Sequence, residues 1–295
     1  MRYTHHAATL TVLALAWSVA LPAAQTAAPP APPTLTAAQM EEFLLRAKIV
    51  RTRSAGGGIT GSLRATLSDG VLTHDAHIQT FDQSRTLFQA PGAAPEMNFK
   101  DSYRYNLAGY RLAALLELDN VPMSVERRVD GKPAAVTWWI DDVMMDERER
   151  LKTEARGPDP ERTAMQTHVM RVFDELIANR DRNMGNLVWT KDWTMWMIDH
   201  TRAFRLDTDL RRPNVLLRVE RSLLENMRRL MPDAVAKAVG SSLTRYEIQS
   251  VLKRRDAIVA LFDAKIADRG EGPVVYALDQ VKAVAARPVS ALAVA

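Results

Sequence analysis

The sequence predicts an α+β fold in two lobes, with strands concentrated in residues 47–142 and helices in residues 143–269. Short β-branched and apolar runs alternate with glycine-containing turns through the first region, which is typical of antiparallel strands. In the second region apolar residues recur every three or four positions, which is typical of helices that bury one face. The chain of 295 residues is long enough for a two-lobed domain with a short leader.

Residues 1–24 have the layout of a secretory signal peptide, with a basic residue, an apolar run and then small residues before Gln25. That run is shorter than a membrane span, so we expect an exported protein, periplasmic or secreted, that is not integral to a membrane. Residues 25–46 are predicted to be a linker followed by a short helix over 39–46. The absence of cysteine excludes disulfides, and a net charge of +4 is too small to indicate a nucleic-acid partner.

A glycine-rich turn lies near the start of the first lobe. Residues 48–53 and 63–67 are the predicted strands on either side, and the turn between them contains Gly56, Gly57, Gly58 and Gly61. Glycine lets backbone N–H groups approach an anion closely, so a turn of this kind can cover phosphate groups. Most glycine-rich hairpin turns have no such role, and the functional interpretation therefore depends on the rest of the chain.

Further predicted elements complete the first lobe. Residues 74–81 are expected to form a third strand, residues 82–95 a turn-rich segment and residues 98–118 a helix with one apolar face. Residues 121–126 and 134–140 flank an Asp-Gly-Lys-Pro turn, which predicts a hairpin. Residues 141–143 would then connect the two lobes.

The second lobe is predicted to begin its main helix after Asp159, an N-cap that is followed by a first-turn proline. The apolar face of this helix continues to Ile177. Residues 187–190 and 194–198 flank a turn and predict a second hairpin, and a capping box at Thr244 begins a long helix. Residues 270–295 are expected to be a loosely ordered tail.

A polar sequence joins that first helix to the second hairpin. It reads Asn-Arg-Asp-Arg-Asn-Met-Gly-Asn over residues 179–186, and Asp199 follows 13 residues after Asn186. In phosphoryl transfer one Asp orients the acceptor hydroxyl, an Asn five residues later holds a metal ion, and a second Asp holds the metal that bridges the phosphates. Asp181, Asn186 and Asp199 fit these roles in that order. The alternative is a structural loop whose side chains cap backbone groups.

These motifs resemble those of the atypical kinase-like families: HipA-type kinases, phosphatidylinositol kinases and the secretory kinases related to the Golgi casein kinase. Their catalytic loop reads Asp-Arg-x-x-x-Asn or close to it, often with Gly before the Asn, as in residues 181–186 here. The resemblance covers about residues 165–204. It implies a two-lobed protein-kinase-like fold, with a β-rich N-lobe and a helical C-lobe, and as cofactors ATP or another nucleotide with Mg²⁺ or Mn²⁺.

The resemblance also implies a phosphate-binding lysine on the third strand and a glutamate on the next helix. The expected positions carry Gln79 and Asn106 instead, two amides that can hydrogen-bond each other. Trp139 and Ile140 would lie near the adenine. A positive charge for the phosphates would have to come from another position, and four residues are candidates: Lys48, Arg53, Lys100 and Arg104.

We therefore expect an exported kinase-like phosphotransferase that moves phosphate from a nucleotide to the hydroxyl group of an unknown protein, lipid or small-molecule acceptor. Asp181 would orient the acceptor, and Asn186 and Asp199 would hold the metal. Two alternatives remain open. The missing lysine favours a pseudokinase, which would bind nucleotide or act as a scaffold without turnover, and the same metal ligands would also suit nucleotidyl transfer.

Overall fold

The computed structural model describes residues 35–56, 61–89, 92 and 95–278, and its first lobe is rich in strands. Its elements, in chain order, are α1 (Ala37–Arg46), β1 (Lys48–Ser54), β2 (Leu63–Ser68), β3 (Thr73–Gln79), β4 (Asp82–Phe88), β5 (Glu96–Ser102), α2 (Arg104–Leu115), β6 (Ser124–Val129) and β7 (Lys132–Trp138). Antiparallel pairing gives a five-stranded sheet in the order β1-β2-β3-β7-β6. The predicted strands around the glycine turn and the predicted hairpin of β6 and β7 are confirmed.

Helix α1 covers one face of this sheet. A capping box between Thr36 and Gln39 begins the helix, and the side chains of Phe43 and Leu44 are buried in the same apolar core as Ala65 and Val136. Full burial of each large apolar side chain contributes about 1.5–3 kcal/mol. The prediction that this helix belongs to a linker ahead of the domain is therefore wrong, since its apolar side is part of the first lobe.

Strands β4 and β5 form a separate hairpin where the sequence predicted a turn-rich segment and the beginning of a helix. Arg85 pairs with Phe99 in this ladder, and the rings of Phe88 and Phe99 stack with centroids 4.1 Å apart. The mostly polar composition of β4 gives little strand signal, so the cross-strand aromatic contact could not be anticipated. Helix α2 consequently begins at Arg104 and not at residue 98.

The second lobe is mainly helical. Its elements are β8 (Val143–Asp146), α3 (Glu147–Lys152), α4 (Pro160–Leu176), β9 (Leu187–Thr190), β10 (Met195–Met197), β11 (Val219–Glu220), α5 (Arg221–Arg229), α6 (Pro232–Val239), α7 (Arg245–Arg269) and β12 (Val275–Tyr276). The predicted N-caps at Asp159 and Thr244 are both present. Strands β8, β9 and β10 form one small sheet, and Trp189 from β9 is fully buried against the helices. Among the described helices, none combines the length and apolarity needed to cross a bilayer.

The chain after α7 is packed against the second lobe as far as the structure describes it. Strand β12 pairs in parallel with β11, and the hydroxyl of Tyr276 donates to the backbone oxygen of Met165 at 2.7 Å. The apolar residues Val274, Val275 and Tyr276 are buried. The predicted loose tail is therefore wrong for residues 271–278, because these side chains complete the helical core.

Candidate active site

The loop after α4 is held by one buried arginine. The Arg182 Nε lies 3.0 Å from Asp174 Oδ2 near the end of α4, and the side chains of this pair are only 5% and 2% exposed. The Arg182 Nη1 donates to two backbone oxygens, that of Asn186 at 3.0 Å and that of Ile198 at 2.7 Å. A single guanidinium thus fixes the loop to the segment that carries Asp199.

The Asn186 side chain is oriented by the loop itself. Its Nδ2 donates to the backbone oxygen of Asp181 at 3.3 Å, and its backbone oxygen also accepts the Ile198 N–H at 3.0 Å. Asn183 contributes a local turn, because its Oδ1 accepts the Gly185 N–H at 2.9 Å. Arg182 and Asn183 therefore shape the loop, and the amide oxygen of Asn186 is turned away from the Asp181 carbonyl.

The Asp181 carboxylate is half exposed, at 46%, and has Arg202 as an ion-pair partner at 3.7 Å. Burial raises the pKa of Asp181 above its ordinary value, although the Arg202 guanidinium opposes this change. The neighbouring carboxylates of Asp199 and Glu96 raise the pKa further. Asp181 and Asp199 are thus close enough to interact electrostatically.

Asp199 has a left-handed backbone, with φ at 54°, a conformation that costs energy for a residue other than glycine and often occurs at functional sites. The Asp199 Oδ1 accepts the Thr201 hydroxyl at 3.0 Å. The next N–H in the chain, that of His200, donates to the Asn106 Oδ1 at 2.8 Å. The His200 ring is buried, and burial holds its pKa well below the ordinary value.

The expected amide pair of Gln79 and Asn106 is present. The Asn106 Nδ2 donates to the Gln79 Oε1 at 2.8 Å, and both side chains are buried. Since the Oδ1 of the same amide accepts the His200 N–H, Asn106 joins strand β3, helix α2 and the Asp199 segment. The two positions predicted for a lysine and a glutamate are therefore in contact, without a charge on either.

The sheet face directed toward Asp199 is polar. Asp75, His77 and Gln79 lie on this face because alternate strand residues point the same way. Burial lowers the pKa of His77, whereas the Asp199 carboxylate acts in the opposite direction. The Arg64 Nε lies 2.5 Å from Asp75 Oδ2, and its guanidinium stacks 4.1 Å from the centroid of Trp139.

The remaining predicted nucleotide contacts lie at the edges of this face. Gly56 and Gly61 have positive φ angles of 77° and 65°, as a tight turn after β1 requires, whereas Gly57 and Gly58 lie outside the described residues. Trp139 and Ile140 follow β7 and are partly buried. Trp138, its neighbour, points to the opposite face and stacks on His74 at 3.8 Å.

Sequence reasoning missed the contribution of the β4–β5 hairpin. Glu96 and Asp101 from β5 face the loop residues: Glu96 binds Arg202 and Arg205 at 2.6 Å each. Burial raises the pKa of Asp101, and the carboxylates of Asp199 and Asp181 add to this effect. The position of Arg202, three residues after Asp199, was a signal that could have been noticed.

The four cations named from the sequence are placed differently. The Lys100 Nζ binds Glu247 at 2.6 Å, and Arg104 lies 3.3 Å from Asp82. Lys48 and Arg53 are exposed on β1. The cation that contacts Asp181 is Arg202, which the sequence analysis did not consider.

Comparisons with known proteins agree with this architecture only at the level of fold. No protein-family model matches the sequence, and no curated protein matches it either. A structure of hydra Fam20 with sugar is similar, with a TM-score of 0.61 and 12% identity, over 83% of this chain and 93% of that chain. A Golgi casein kinase has a TM-score of 0.55 and 13% identity, over 80% of this chain and 78% of that one. The Helicobacter pylori kinase CtkA has a TM-score of 0.47 at 10% identity, over 77% and 98% of the respective chains.

These similarities confirm the resemblance predicted from residues 165–204. The β-rich first lobe and the helical second lobe confirm the predicted fold class. The chain therefore has the two-lobed α+β fold of the atypical kinase-like proteins.

Proposed function

We propose that this protein is an exported, metal-dependent phosphotransferase that moves phosphate from a nucleotide to a hydroxyl acceptor. The observation that carries the proposal is the pair of hydrogen bonds that Arg182 Nη1 donates to the backbone oxygens of Asn186 and Ile198. A loop that only caps backbone groups does not need two acidic side chains and an amide in a fixed mutual arrangement. Phosphoryl transfer does need it, since catalysis there is mainly positioning and electrostatics.

Asp181 is suited to the acceptor side of the reaction. Its carboxylate has an exposed side, and Arg202 at 3.7 Å is too far for a good hydrogen bond. A hydroxyl group can therefore approach Asp181 and be oriented by it. Because burial raises the pKa of Asp181, this carboxylate is also a better proton acceptor than an ordinary aspartate.

Asn186 and Asp199 fit a magnesium or manganese ion. The Asn186 Nδ2 donates to the Asp181 carbonyl, and the Asp199 Oδ1 accepts from the Thr201 hydroxyl. Each side chain therefore retains an oxygen atom, the ligand that these hard cations prefer. Among the described residues, no group of three or more His, Asp or Glu is arranged to hold a metal. The phosphates of the nucleotide would complete the coordination shell, as is common for Mg²⁺. The ion would neutralise charge on the phosphates.

The nucleotide would lie beneath the polar face of the first lobe. The turn containing Gly56 and Gly61 would cover the phosphates, with Gly57 and Gly58 between them, and Trp139 and Ile140 would lie near the base. The Gln79–Asn106 pair would hold α2 against the site. The acceptor is a hydroxyl-bearing protein, lipid or small molecule.

Export is supported by the layout of residues 1–24, which lie outside the described residues. Sequencing of the mature N-terminus tests it, and a chain beginning near Gln25 is the expected result. A protein that retains Met1 in the cytoplasm would contradict export, without affecting the proposed chemistry.

The chemistry is tested with Asp181→Asn, Asp199→Asn and, as a control, Asp209→Asn, an exposed residue that undergoes the same charge change. Calorimetry with ATP and Mg²⁺ should show weaker binding for Asp199→Asn, because it loses a metal ligand. Asp181→Asn should bind ATP within a few-fold of the parent yet lose transfer. ATP labelled at the α or γ phosphate identifies the group transferred, so label from the α position would indicate nucleotidyl transfer. Equal loss of binding in the two active-site variants, or binding that needs no metal, would contradict these roles.

A pseudokinase is the second candidate, and the uncharged Gln79–Asn106 pair favours it. In that case the parent would bind nucleotide and metal but release no labelled product with any hydroxyl acceptor, including water. The calorimetric experiment and the label experiment together separate this candidate from an active enzyme.

A further inference from the structure

The proposed reaction places a polyanion among carboxylates, and one divalent metal ion does not balance their charge. Asp199 and Glu96 raise the pKa of Asp181, and Asp199 and Asp181 raise the pKa of Asp101. Strand β3 offers only the neutral Gln79 where a lysine would be expected. A cation is needed near the transferred group, since developing negative charge there must be stabilised.

Arg202 has the position that this cation requires. It follows the proposed metal ligand Asp199 by three residues, and its Nη1 lies 3.7 Å from the Oδ2 of Asp181. Its side chain is 25% exposed, so a ligand in the cleft can reach it. The guanidinium therefore lies beside the carboxylate that would orient the acceptor, close to where the transferred phosphorus must be.

The Arg202 side chain is braced on its other side. Its Nη2 donates to the Glu96 Oε2 at 2.6 Å, and its Cζ lies 5.0 Å from the centre of the Phe99 ring. Both residues belong to β5, so the hairpin that the sequence did not predict fixes this arginine. A braced guanidinium loses little conformational freedom when it binds an anion.

The positive charge of Arg202 is not cancelled by its brace. Glu96 also binds the Nη2 of Arg205 at 2.6 Å, so two guanidinium groups share one carboxylate. Arg205 is buried and also donates to the backbone oxygen of Asn98 at 3.1 Å, which places it behind Arg202. The two guanidinium groups and the Glu96 carboxylate together have a net charge of +1, and Arg202 is the partly exposed member of this group.

Arg202 also has an unused donor. Its Nε is buried and has no hydrogen-bond partner among the described residues. Nη2 is bonded to Glu96, so neither group is open to a ligand. Nη1 lies too far from Asp181 for a good hydrogen bond and remains for a phosphoryl oxygen.

We propose that Arg202 binds the γ-phosphoryl group of the nucleotide and supplies the positive charge that the β3 position lacks. This inference rests on the proposed function. In the transfer step the acceptor oxygen forms a bond to the γ-phosphorus, and the bond to the bridging oxygen of the leaving diphosphate breaks. The acceptor proton passes to Asp181, and Arg202 takes no part in the proton transfer.

The test compares a non-hydrolysable ATP analogue with ADP, each with Mg²⁺, by calorimetry on the mature protein. Arg202→Met should weaken binding of the analogue by about 10- to 100-fold, the effect of one charge-assisted hydrogen bond, while ADP binding stays within about threefold. Arg202→Lys should recover part of the affinity for the analogue, since it keeps the charge but not the fork of donors. Arg202→Gln, which can still donate to Glu96, should behave like Arg202→Met and serves if that variant folds poorly.

Arg46→Met is the matched control, because Arg46 is 78% exposed and lies on helix α1, which packs on the opposite face of the sheet. It should alter neither affinity. Equal weakening of both ligands in Arg202→Met and Arg202→Gln would mean that Arg202 only braces the hairpin, and would overturn the inference, as would unchanged binding or a selective loss in Arg46→Met. If the parent protein binds neither ADP nor the ATP analogue, both the proposed function and the role of Arg202 fail. If the parent binds both nucleotides but the Arg202 variants show no selective loss of affinity for the analogue, only the role of Arg202 is refuted.

Discussion

The buried pair of Arg182 and Asp174 should be among the most costly single sites to disrupt. The Arg182 Nε and Nη2 each lie 3.0 Å from a carboxylate oxygen of Asp174. In Arg182→Met the Asp174 carboxylate, only 2% exposed, keeps the Asn179 amide as a donor but loses its counter-charge. Breaking a buried pair from one side costs about 3–5 kcal/mol, which is a large part of the roughly 5–15 kcal/mol that stabilises a domain.

A double-mutant cycle measured by urea unfolding tests this reasoning. Arg182→Met and Asp174→Leu should each lower the free energy of unfolding by about 3–5 kcal/mol, since each leaves an unpaired buried charge. The double variant should lose less than the sum of the two, by about 2 kcal/mol or more, because no unpaired charge remains.

The exposed pair of Lys191 and Asp142 is the control for this cycle. Its side chains are 72% and 52% exposed and lie 2.8 Å apart, so breaking it should cost less than about 1 kcal/mol. The prediction would be refuted if Arg182→Met lowered the free energy of unfolding as little as breaking this surface pair does. Strict additivity of the two single losses in the double variant would also refute it.

Three further predictions concern other parts of the fold. Gly109→Ala should lower the melting temperature, because the added Cβ would lie 3.2 Å from the ring of His200. Overpacking costs about 1–3 kcal/mol, which exceeds the gain in helix propensity of about 0.5–1 kcal/mol. An unchanged or higher melting temperature would contradict this prediction. Burial alone would raise the pKa of Glu247, but hydrogen bonds, led by one from a lysine, leave it below its ordinary 4.5. The stabilisation is therefore present above pH 4.5 and lost as the pH falls through the lowered pKa, and Glu247→Gln should flatten the acid side of the stability profile in urea titrations. The double variant Gln79→Lys, Asn106→Glu should bind ATP with Mg²⁺ more tightly than the parent in calorimetry, since it restores a paired cation; weaker or equal binding would show that this position does not face the phosphates.

The sequence was sufficient for those parts of the site that depend on local order. The N-cap at Asp159, the helix that leads to Asp181 and the hairpin before Asp199 each have a local signal in spacing or capping, and the structure has all three. The contact between Gln79 and Asn106 was also predictable, since the resemblance assigns those two positions to one pair.

Other parts depend on tertiary contacts that no local pattern contains. Strand β4 is mostly polar, and it pairs along its length with β5, where Phe88 stacks on Phe99 across the hairpin. The pairing of Arg202 with Glu96 joins residues 106 positions apart, and burial of Tyr276 depends on the backbone of α4. In each case the deciding partner is distant in the chain, so propensity and periodicity could not identify it.

The amide bond between Gln79 and Asn106 has a consequence for regulation. In protein kinases a lysine–glutamate ion pair must be in place for activity, and its formation is a point of control. An ion pair weakens as salt screens its charges, whereas a hydrogen bond between two neutral amides responds to neither ionic strength nor pH. Helix α2 should therefore stay docked on β3 across a wide range of salt concentrations and pH values. Such insensitivity would suit a protein that works where the cell does not control the surrounding solution.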